Sequence, residues 1–425
     1  MRSPGAEVVI VGGGPAGLAC AIEFRRLGVA GVLVLERDAQ AGGVPRHCNH
    51  QGFGARDLRR IMSGPRYARG YVERARRSGA RVEVESMVTG WSAGGELEVT
   101  SPAGRRRLAP AAVVLATGCR ERPRAARLVA GSRPDGVMTT GMLQQLVELR
   151  GERIGGPALI VGAEHVSFSA LLTLARAGAR VVAMVTELPR HQSLALVRAA
   201  AALRYRTPLW TRTALTAIRG YPRVEEVESQ DLDSGRTRVV SCRTVVFTAD
   251  WIPDHELAVL GGMSLDPGTC GPRVDLAVRT SRVGVFAAGN LIHAAEPADV
   301  AALSGRHAAQ SAARWLSQQG PWPASAIPIA CRPPLRWISP SAVSPEPGAP
   351  PREQSAPPRE RFLLRSSAFL RSPEIEIRQD GRALWRGTVA RLGPGRSRTI
   401  PAGWAASVDG EGGAIEVALV AAAAG

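Results

Sequence analysis

A glycine pattern near the start of the chain limits its fold more than any other feature; it reads Gly12-Gly13-Gly14-Pro15-Ala16-Gly17. Residues 6–12 before it predict a buried parallel strand, and residues 15–27 predict a helix with Pro in its first turn. Gly12 permits the tight turn, Gly14 leaves room for a pyrophosphate beside the backbone, and Gly17 lets the helix pack on the strand. The pattern therefore predicts a βαβ unit that binds a dinucleotide.

Two further features favour a phosphate and ribose site over the alternative, a Gly-rich turn beside a surface acid. The helix that starts at Pro15 and Ala16 offers unpaired N–H groups and roughly half a positive charge to a phosphate. The second strand, residues 32–36, ends at Glu36, 19 residues after Gly17. An acid at that place accepts hydrogen bonds from the ribose hydroxyl groups of a bound dinucleotide.

Apolar strand patterns recur further along the chain, with helical patterns between several of them; they cover residues 112–116, 158–161, 181–185, 244–248 and 283–288. This alternation predicts parallel sheets covered on both faces, an α/β doubly wound architecture. A length of 425 residues corresponds to two or three domains.

Composition excludes several classes of protein. No apolar run approaches the roughly 18 residues of a membrane span, and the chain enters its first strand without a basic leader, so we expect neither membrane insertion nor secretion. The six cysteines show no C-x-x-C spacing, which argues against a zinc site, an iron–sulfur cluster and a dithiol. These features predict a cytoplasmic protein without a bound metal.

The net charge of +17 comes entirely from arginine, since all 54 basic residues are Arg and none is Lys. Residues 46–133 hold 18 Arg against 7 acidic residues, a net charge of +11, and such a field attracts an acidic partner or ligand. The alternative is the codon bias of a GC-rich genome. Aromatic residues make up only 4% and form no stacking platform among the Arg, so we do not expect nucleic-acid binding.

Later motifs resemble the flavin-domain motifs of the pyridine nucleotide-disulfide oxidoreductase superfamily; they are Glu36-Arg37, Gly42-Gly43, the run 113–118 that ends in Thr117-Gly118, and the run 284–290 that ends in Gly289-Asn290. The resemblance implies that these residues bind FAD, and that a second Rossmann-like domain interrupts the flavin domain. Asn290 stands where the superfamily usually has an Asp that binds the flavin ribityl and pyrophosphate. The amide can still hydrogen-bond there, without the charge.

The resemblance further implies that a helix starting near residues 297–300 directs its N-terminus at the flavin, with Asp299 and Val300 at the cofactor. For Asp299 the alternative is an acid that caps the helix or lies in its first turn. The segment 42–57, together with Thr139-Thr140-Gly141 and residues 162–167, is similar to a subgroup that contains the flavin subunits of opine, proline and hydroxyproline dehydrogenases and of bacterial cyanide synthase. The similarity covers roughly residues 5–320.

Cysteine usage departs from both groups. The superfamily's disulfide members carry a redox-active Cys pair after Gly42-Gly43, whereas this chain has Cys48 without a neighbouring Cys, so we expect no dithiol relay. Many members of the subgroup carry Cys ligands for an iron–sulfur centre near the C-terminus. Cys331 is the one Cys beyond residue 270 here, so we expect no such centre.

The loop after the Gly pair also contains His47 and His50. Together with Cys48 they are open to three interpretations: a metal triplet, a proton relay, or a well-satisfied loop beside the flavin. Histidine exchanges protons near neutral pH, so His50 is our first candidate for acid/base catalysis and His293 our second.

The inserted domain repeats the strand, helix and strand of an NAD-binding unit over residues 157–187, but its fingerprint has Gly162, Glu164 and Ser167 at the three Gly positions. A carboxylate about 4 Å from a phosphate costs on the order of 4 kcal/mol, roughly a thousandfold in affinity. We interpret this domain as a Rossmann-like relic on the substrate or partner side, with NAD(P)H binding as the alternative.

Beyond residue 320 the composition changes. Twelve of the forty residues from 321 to 360 are Pro, which predicts an extended linker without helix or sheet. Alternation at 374–378, a turn at 379–381 and another strand from 383 predict a small β unit, docked because it has little core of its own. The predicted organisation is an FAD-binding domain in two parts, an inserted NAD-like domain, a linker and a β domain: 1–125 and 254–320, 126–253, 321–360, and 361–425.

The function that this sequence predicts is FAD-dependent oxidoreduction by one subunit of a heteromeric dehydrogenase or oxidase. Its substrate is a small amine, imino acid or similar metabolite, and its partner is a second flavoprotein or an electron-transfer subunit. Two alternatives remain: a stand-alone NAD(P)H-dependent flavin reductase, and an FAD-holding scaffold whose partner performs all substrate chemistry.

Overall fold

The computed structural model of the protein describes residues 8–318, 322–323, 326–344 and 361–420. Its helices are α1 (Pro15–Arg26), α2 (Gly64–Arg77), α3 (Thr140–Gln144), α4 (His165–Arg176), α5 (Ala195–Tyr205), α6 (Glu256–Leu260) and α7 (Ala298–Gln318). Short 3-10 or π-helical segments cover Val44–His47, Arg124–Arg127, Gln145–Leu149, Gly289–Leu291 and Gly403–Ser407. In these described ranges no helix has the length and apolar content to cross a bilayer.

The first sheet is entirely parallel, and its strands lie in the order Val285–Ala287, Ala112–Leu115, Val8–Val11, Val32–Leu35 and Arg81–Glu83. All four residues of the central strand, Val8–Val11, are buried, as the continuous apolar run predicts for a sheet covered on both faces. The edge strand Val285–Ala287 comes from far along the chain. This confirms that the first Rossmann-like domain is interrupted and resumes after an insertion.

The inserted domain has its own parallel sheet, in the strand order Val137–Thr139, Thr244–Phe247, Gly156–Val161, Ala179–Val185 and Leu209–Trp210. Separate apolar clusters cover its two faces; Phe168, Leu171 and Leu174 of α4 lie in one of them. The predicted architecture of two doubly wound Rossmann-like domains is therefore confirmed.

Smaller antiparallel sheets accompany the two domains. The first domain carries a meander of Met87–Trp91, Leu97–Ser101 and Gly104–Leu108, and a pair formed by Gln51–Phe53 and Met62–Ser63. The second carries Ala130–Gly131, Thr213–Arg219, Glu226–Asp231 and Thr237–Ser241. Cys119–Glu121 pairs with Trp251–Pro253, so the two chain crossings between the domains run side by side.

The Pro-rich stretch corrects one prediction. Residues 327–343 form the strands Ile327–Cys331, Leu335–Ser339 and Ala342–Val343, so the prediction of a linker without sheet is wrong for this part. Buried Ile327 and Ile329 alternate with the less buried Pro328, and this period of two was hidden by the high Pro content. Residues 321, 324, 325 and 345–360 of the predicted linker lie outside the described residues.

The C-terminal β unit builds on those strands. One sheet orders Ala342–Val343, Ile327–Cys331, Ile415–Leu419, Glu374–Gln379 and Arg382–Thr388; a second orders Leu335–Ser339, Arg361–Ser366 and Arg398–Pro401; a pair joins Leu370–Arg371 to Arg391–Leu392. The predicted hairpin at 374–385 is confirmed. The expectation of little core is wrong, because residues from Ile327 to Val417 form one buried apolar cluster, which also includes Leu276 of the flavin domain.

Candidate functional site

The first dinucleotide turn has the conformation for which its glycines are needed. Gly12 has a φ of 110°, in the region that favours glycine, and a Cβ on it would overlap the carbonyl oxygen of Ala116. A Cβ on Gly17 would overlap the carbonyl oxygen of Gly12, so α1 lies this close to the first strand only because residue 17 is glycine. The packing of the protein itself therefore requires both residues.

Gly14 differs from these two because the space beside it is open. It is the N-cap residue of α1 in an extended backbone conformation, no side chain caps the helix, and Pro15 follows at the first helical position. The heavy atom nearest to a Cβ on Gly14 would be the Cα of Gly43, 4.0 Å away. The first turn, which includes Ala16, therefore keeps N–H groups with room in front of them for an anion.

Glu36 joins this turn to the end of the second strand. Its carboxylate is buried; Oε2 accepts a hydrogen bond from the N–H of Gly13 at 2.9 Å, and Oε1 accepts one from the N–H of Asp38 at 2.9 Å. Burial raises the pKa of this carboxyl. The N–H of Gly42 donates to the carbonyl of Gly13 at 2.7 Å. The structure thus brings Glu36 and the Gly42-Gly43 pair against the glycine turn.

Asp254 joins three predicted cofactor positions, although it was not itself predicted to belong to the site. Its carbonyl accepts from the Thr117 hydroxyl at 2.7 Å, and its N–H donates to the Gly118 carbonyl at 3.0 Å. Its carboxylate accepts from Arg37 at 3.5 Å and forms an ion pair with Arg120. These contacts hold the segment that returns from the inserted domain beside Gly118. The one sequence signal for Asp254 is that residues 250–257 loosely resemble the segment with which the superfamily's flavin domain resumes after the insertion.

The Asn290 side chain makes two hydrogen bonds that an Asp could not both make. Oδ1 accepts from the N–H of Glu296 at 2.9 Å, and Nδ2 donates to the carbonyl of Glu296 at 3.0 Å. A carboxylate has no N–H to donate, so the amide closes the 290–296 loop on itself. Gly289 before it faces α1, where a Cβ would come within 2.7 Å of the Ala16 Cβ. Contact of Asn290 with the flavin stays a prediction.

Asp299 is fully engaged with the protein in the first turn of α7. Its side chain is 3% exposed; Oδ1 accepts from the Arg56 guanidinium at 3.0 Å and from the N–H of Val300 at 2.9 Å, while Oδ2 accepts from the Arg56 N–H at 3.0 Å. The alternative to a flavin role for Asp299 was an acid in the first turn of the helix, and these contacts match that alternative. The Val300 N–H also lies 2.9 Å from the Pro297 carbonyl, and its contact with the flavin stays a prediction.

The loop after Gly43 holds Cys48 as a buried thiol. Its Sγ donates to Oε1 of Gln144 at 3.4 Å, and burial raises the pKa of the thiol to about 12. Beside it, burial lowers the pKa of His47 to about 4, and its Nε2 has no protein partner. In the described part of the chain no group of three His, Cys, Asp or Glu side chains is arranged to hold a metal ion, so the metal interpretation of this loop gains no support.

His50 lies at the end of the same loop, partly exposed. Its Nδ1 is 2.9 Å from the Gln51 carbonyl oxygen, and its ring centroid is 5.3 Å from that of Phe53. The tautomer with the proton on Nδ1 satisfies this carbonyl and leaves Nε2 free as an acceptor. One ring nitrogen of His50 is therefore fixed by the backbone, and the catalytic role of His50 stays a prediction.

His293, the second candidate, is buried against the C-terminal unit. Its ring centroid is 5.1 Å from that of Trp337, Nδ1 has no protein partner, and burial lowers its pKa to about 4, so the ring is neutral at pH 7. Arg365, which no motif indicated, donates to the Ala294 carbonyl at 2.8 Å and forms an ion pair with Glu296 at 3.0 Å. The C-terminal unit therefore supports the loop that leads into α7.

The second dinucleotide turn is filled by its own side chains. Glu164 is the N-cap residue of α4; its carboxylate accepts from the Ser167 N–H, and the Ser167 hydroxyl accepts from the Glu164 N–H at 3.0 Å. Gln192 donates to Oε1 of Glu164 at 2.6 Å, and the Thr248 hydroxyl lies 3.4 Å from Oε2. Burial raises the pKa of this carboxyl in spite of these hydrogen bonds. The N-terminus of α4 thus already carries a carboxylate.

The first turn therefore fits a dinucleotide such as FAD, and the second does not. Gly14 leaves open space at an uncapped helix N-terminus, whereas Glu164 fills the equivalent place. Binding of FAD stays a prediction for all of the residues that the sequence analysis assigned to the cofactor: Gly12, Gly14, Pro15, Ala16, Gly17, Glu36, Arg37, Gly42, Gly43, Thr117, Gly118, Gly289, Asn290, Asp299 and Val300.

Comparison with known proteins gives a family match over most of the chain. The model of the family described as "Pyridine nucleotide-disulphide oxidoreductase" matches residues 6–305. Among curated proteins, an opine oxidase subunit of Agrobacterium tumefaciens is 27% identical over 335 residues, which cover 72% of this chain and 65% of that protein. Thioredoxin reductase of Treponema pallidum is 26% identical, over 67% of this chain and 88% of that protein.

Solved structures agree in fold. Thioredoxin reductase of Lactococcus lactis superposes with a TM-score of 0.59 at 18% identity and covers 74% of this chain and 99% of its own. An NAD-dependent persulfide reductase from A. fulgidus gives a TM-score of 0.56 at 17% identity, over 88% of this chain and 68% of its own. The first of these accounts for both Rossmann-like domains in extent and leaves about a quarter of this chain unmatched.

Proposed function

The chain belongs to the pyridine nucleotide-disulphide oxidoreductase family and is an FAD-dependent oxidoreductase, and we propose that it oxidises a small amine, imino acid or similar metabolite as one subunit of a heteromeric dehydrogenase or oxidase. The observation that carries this proposal is the closure of the second dinucleotide turn by Glu164. Reductases of the disulfide type need a pyridine nucleotide on one side and a dithiol on the other. In this chain Glu164 disfavours the nucleotide, and Cys48 has no neighbouring Cys with which to form a dithiol.

Electrons must therefore reach the flavin from another reductant, and a small organic substrate is the simplest one. The similarity to the opine oxidase subunit supports this choice, because that relative is named as an oxidase and as part of an assembly. The match spans 65% of that relative's length. The substrate of this chain and its membership in an assembly are therefore proposals and are not taken over from the relative.

When bound, FAD supplies a two-electron acceptor for the hydride of the substrate. The protein's part is to hold the cofactor at the first turn and to manage protons beside it. Burial lowers the pKa of His293, the second candidate, to about 4, so its ring is neutral at pH 7 and is a weak base there. The Gln51 carbonyl fixes the imidazole ring of His50, the first candidate, through Nδ1 and leaves Nε2 open. The thiol of Cys48, with its raised pKa, takes no nucleophilic part.

The decisive experiment is anaerobic mixing of the FAD-loaded chain with candidate reductants while the flavin absorbance is followed. We expect bleaching by one class among amino acids, imino acids and opines, and slow or no bleaching by NADH and NADPH. Rapid bleaching by NADH would instead establish a stand-alone reductase. If no candidate bleaches the isolated chain but one bleaches it together with its partner, the chain is the FAD-holding scaffold.

We also propose a cytoplasmic location. All six cysteines are free thiols, and burial raises the thiol pKa of five of them, Cys20, Cys48, Cys119, Cys242 and Cys331. Chains that mature in oxidising compartments usually pair such residues. Fractionation of the native host tests the proposal.

A further inference from the structure

Helix α5 of the inserted domain is apolar on both of its faces. Its inner face, Val197, Ala201 and Tyr205, packs on the apolar cluster beside the second sheet. Its outer face presents Ala195, Leu196, Ala199, Ala200 and Leu203, and all five are exposed. Apolar residues on two faces are typical of a helix packed between two layers of protein, and the described residues supply only the inner layer.

The exposure of this outer face is large and contiguous. Leu196 is 81% exposed, Leu203 is 85% exposed, and Leu194, the N-cap residue, adds 52%. Single exposed leucines are common on protein surfaces, but these residues recur three or four positions apart on one helix and so form one strip. We call Ala195, Leu196, Ala199, Ala200 and Leu203 the α5 strip. Such strips mark sites of interaction.

The charges around the α5 strip indicate what covers it. Arg198 and Arg204 lie on opposite edges of the strip, and Arg206 follows the helix. Residues 188–224 contain seven Arg and no Asp or Glu, although the whole chain has 37 acidic residues. In the described part of the chain, none of these three Arg forms an ion pair. The strip therefore has an unbalanced positive rim.

We propose that the α5 strip is the docking surface for a second protein with an apolar centre and an acidic rim. This inference deepens the proposed subunit role and names the surface on which that role depends. A second copy of the chain is disfavoured, because a two-fold axis would bring Arg198 and Arg204 against their own copies. The strip contains three Ala and no aromatic residue, so it suits close approach of another helix better than insertion into a lipid surface.

The test begins with a photo-crosslinking amino acid at position 196 of the full chain in its native host, and at position 128 as the control. Leu128 is 89% exposed but lies outside α5, after the 3-10 turn Arg124–Arg127. We expect most of the chain to cross-link from position 196 to one polypeptide of net negative charge, and not from position 128. Cross-linking to another copy of this chain, or no cross-linking, would overturn the proposal.

That polypeptide is then produced alone and its affinity for the FAD-loaded chain is measured. We expect Leu196→Gln with Leu203→Gln to weaken binding about tenfold or more, since Gln keeps helix propensity and removes the apolar contact. Arg198→Glu with Arg204→Glu should weaken it too, whereas Arg153→Glu with Arg180→Glu, an equal charge change on exposed residues of the same domain, should not. Equal effects of the two charge reversals would contradict the proposal.

A membrane is the competing occupant. Vesicles of phosphatidylcholine with phosphatidylserine are mixed with the unmodified chain and with the double Gln variant. We expect neither protein to sediment with the vesicles. If the unmodified chain sediments with them and the double Gln variant does not, the proposal of a protein partner is overturned in favour of a lipid surface. None of these measurements uses turnover. A failed docking test therefore does not affect the flavin-reduction test of the proposed function, and a failed flavin-reduction test does not affect the docking test.

Discussion

The two dinucleotide turns of this protein share one topology but differ in the residue that caps the helix. Each follows a buried strand, begins with a glycine at positive φ and leads into a 12-residue helix. At the first turn the N-cap residue is Gly14, with no side chain on the helix. At the second it is Glu164, whose carboxylate accepts from the Ser167 N–H. The same backbone element is therefore an open anion site in one domain and a satisfied helix cap in the other.

The comparison teaches that a helix N-terminus binds a phosphate only if the protein leaves its N–H groups unpaired. A capping carboxylate stabilises its helix, typically by about 1 kcal/mol, and in doing so takes the place of the ligand. A Cβ on Gly162 would overlap the Thr248 hydroxyl and come within 2.8 Å of Oε2 of Glu164, so side chains fill the second turn. The inserted domain has kept its fold without an open nucleotide site.

The largest expected effect comes from adding a side chain to the open turn. Gly14→Val should abolish retention of FAD, because a branched side chain takes the space of the pyrophosphate. Gly14→Ala should weaken FAD binding about tenfold to a hundredfold, the range of a modest overpacking cost. Flavin absorbance per chain after gel filtration measures both.

Protein stability provides the control for this experiment. The nearest heavy atom to a Cβ on Gly14 is 4.0 Å away, so Gly14→Ala should leave the unfolding temperature of the FAD-free chain unchanged. Gly12→Ala should lower it, because φ is 110° and the Cβ overlaps the Ala116 carbonyl. If Gly14→Ala kept full FAD affinity, the first turn would not be the cofactor site.

The second expected effect concerns nucleotide binding at the closed turn. The unmodified chain should bind NADH and NADPH too weakly for them to reduce its flavin. Glu164→Gly should lower the Kd for NADH, with an upper bound of about a thousandfold from the removal of a carboxylate near a phosphate. Isothermal titration measures both Kd values. Glu164→Gln removes the charge but keeps the bulk of the side chain, so it should increase the affinity for NADH less than Glu164→Gly does. Micromolar affinity for NADH in the unmodified chain would refute the comparison.

The local part of this comparison could be predicted from the sequence. The strands, the glycine turn and the degenerate second turn each depend on residues within about 30 positions, and apolar runs with glycine spacing carry that information. Even at the second turn, where a weak fingerprint was recognised, only the structure shows that the carboxylate caps its own helix.

Contacts between distant residues could not be predicted in this way. A Cβ on Gly305 of α7 would overlap the Ala16 carbonyl, so this glycine is as necessary for packing on α1 as Gly17, yet it follows no motif. Arg365 reaches the 294–296 loop across about 70 residues, and nothing near it in sequence indicates that role. Such positions are fixed by contacts between elements far apart in the chain, and local patterns in a single sequence do not record them.

The third prediction asks whether the histidines around the first turn are held neutral. Burial lowers the pKa of His47 and of His293 to about 4, whereas the unfolded chain has ordinary histidines near 6.5. A base with a lowered folded pKa stabilises the fold above its unfolded pKa, and this stability is lost as the pH falls from about 6.5 to about 4. Each histidine should contribute about 3 kcal/mol to the free energy of unfolding that is lost over that pH range.

Chemical denaturation at several pH values measures this loss. Because buried carboxyls titrate in the same range, the informative quantity is the difference between the unmodified chain and His293→Gln, which should grow from pH 4 to pH 6.5 and then level off. His255→Gln, at a partly exposed histidine outside the first turn, serves as the control. A pH-independent difference would mean that His293 is not held neutral by its surroundings.

The smallest expected effect tests the Arg-rich face, which we define as Arg59, Arg60, Arg76 and Arg77. All four are exposed, but Arg77 pairs with Glu73 at 2.9 Å, so the free charge is smaller than the sequence count suggests. Exposed charges speed encounters and are screened beyond about 8 Å at physiological salt. Reversing all four should therefore slow association with the partner subunit by about tenfold or less at low salt, and leave the flavin spectrum unchanged.

Reversal of Arg150, Arg153, Arg180 and Arg236 is the matched control, because these exposed residues of the inserted domain carry the same total charge and lie outside residues 188–224. Stopped-flow association measured from low to high salt separates the two sets. If the face steers the partner, only the first set should lower the rate, and the difference should vanish at high salt as the charges are screened. If both sets lower the association rate equally, the net charge of the protein determines the rate and the position of the Arg residues does not. The Arg excess of residues 46–133 then reflects genome composition.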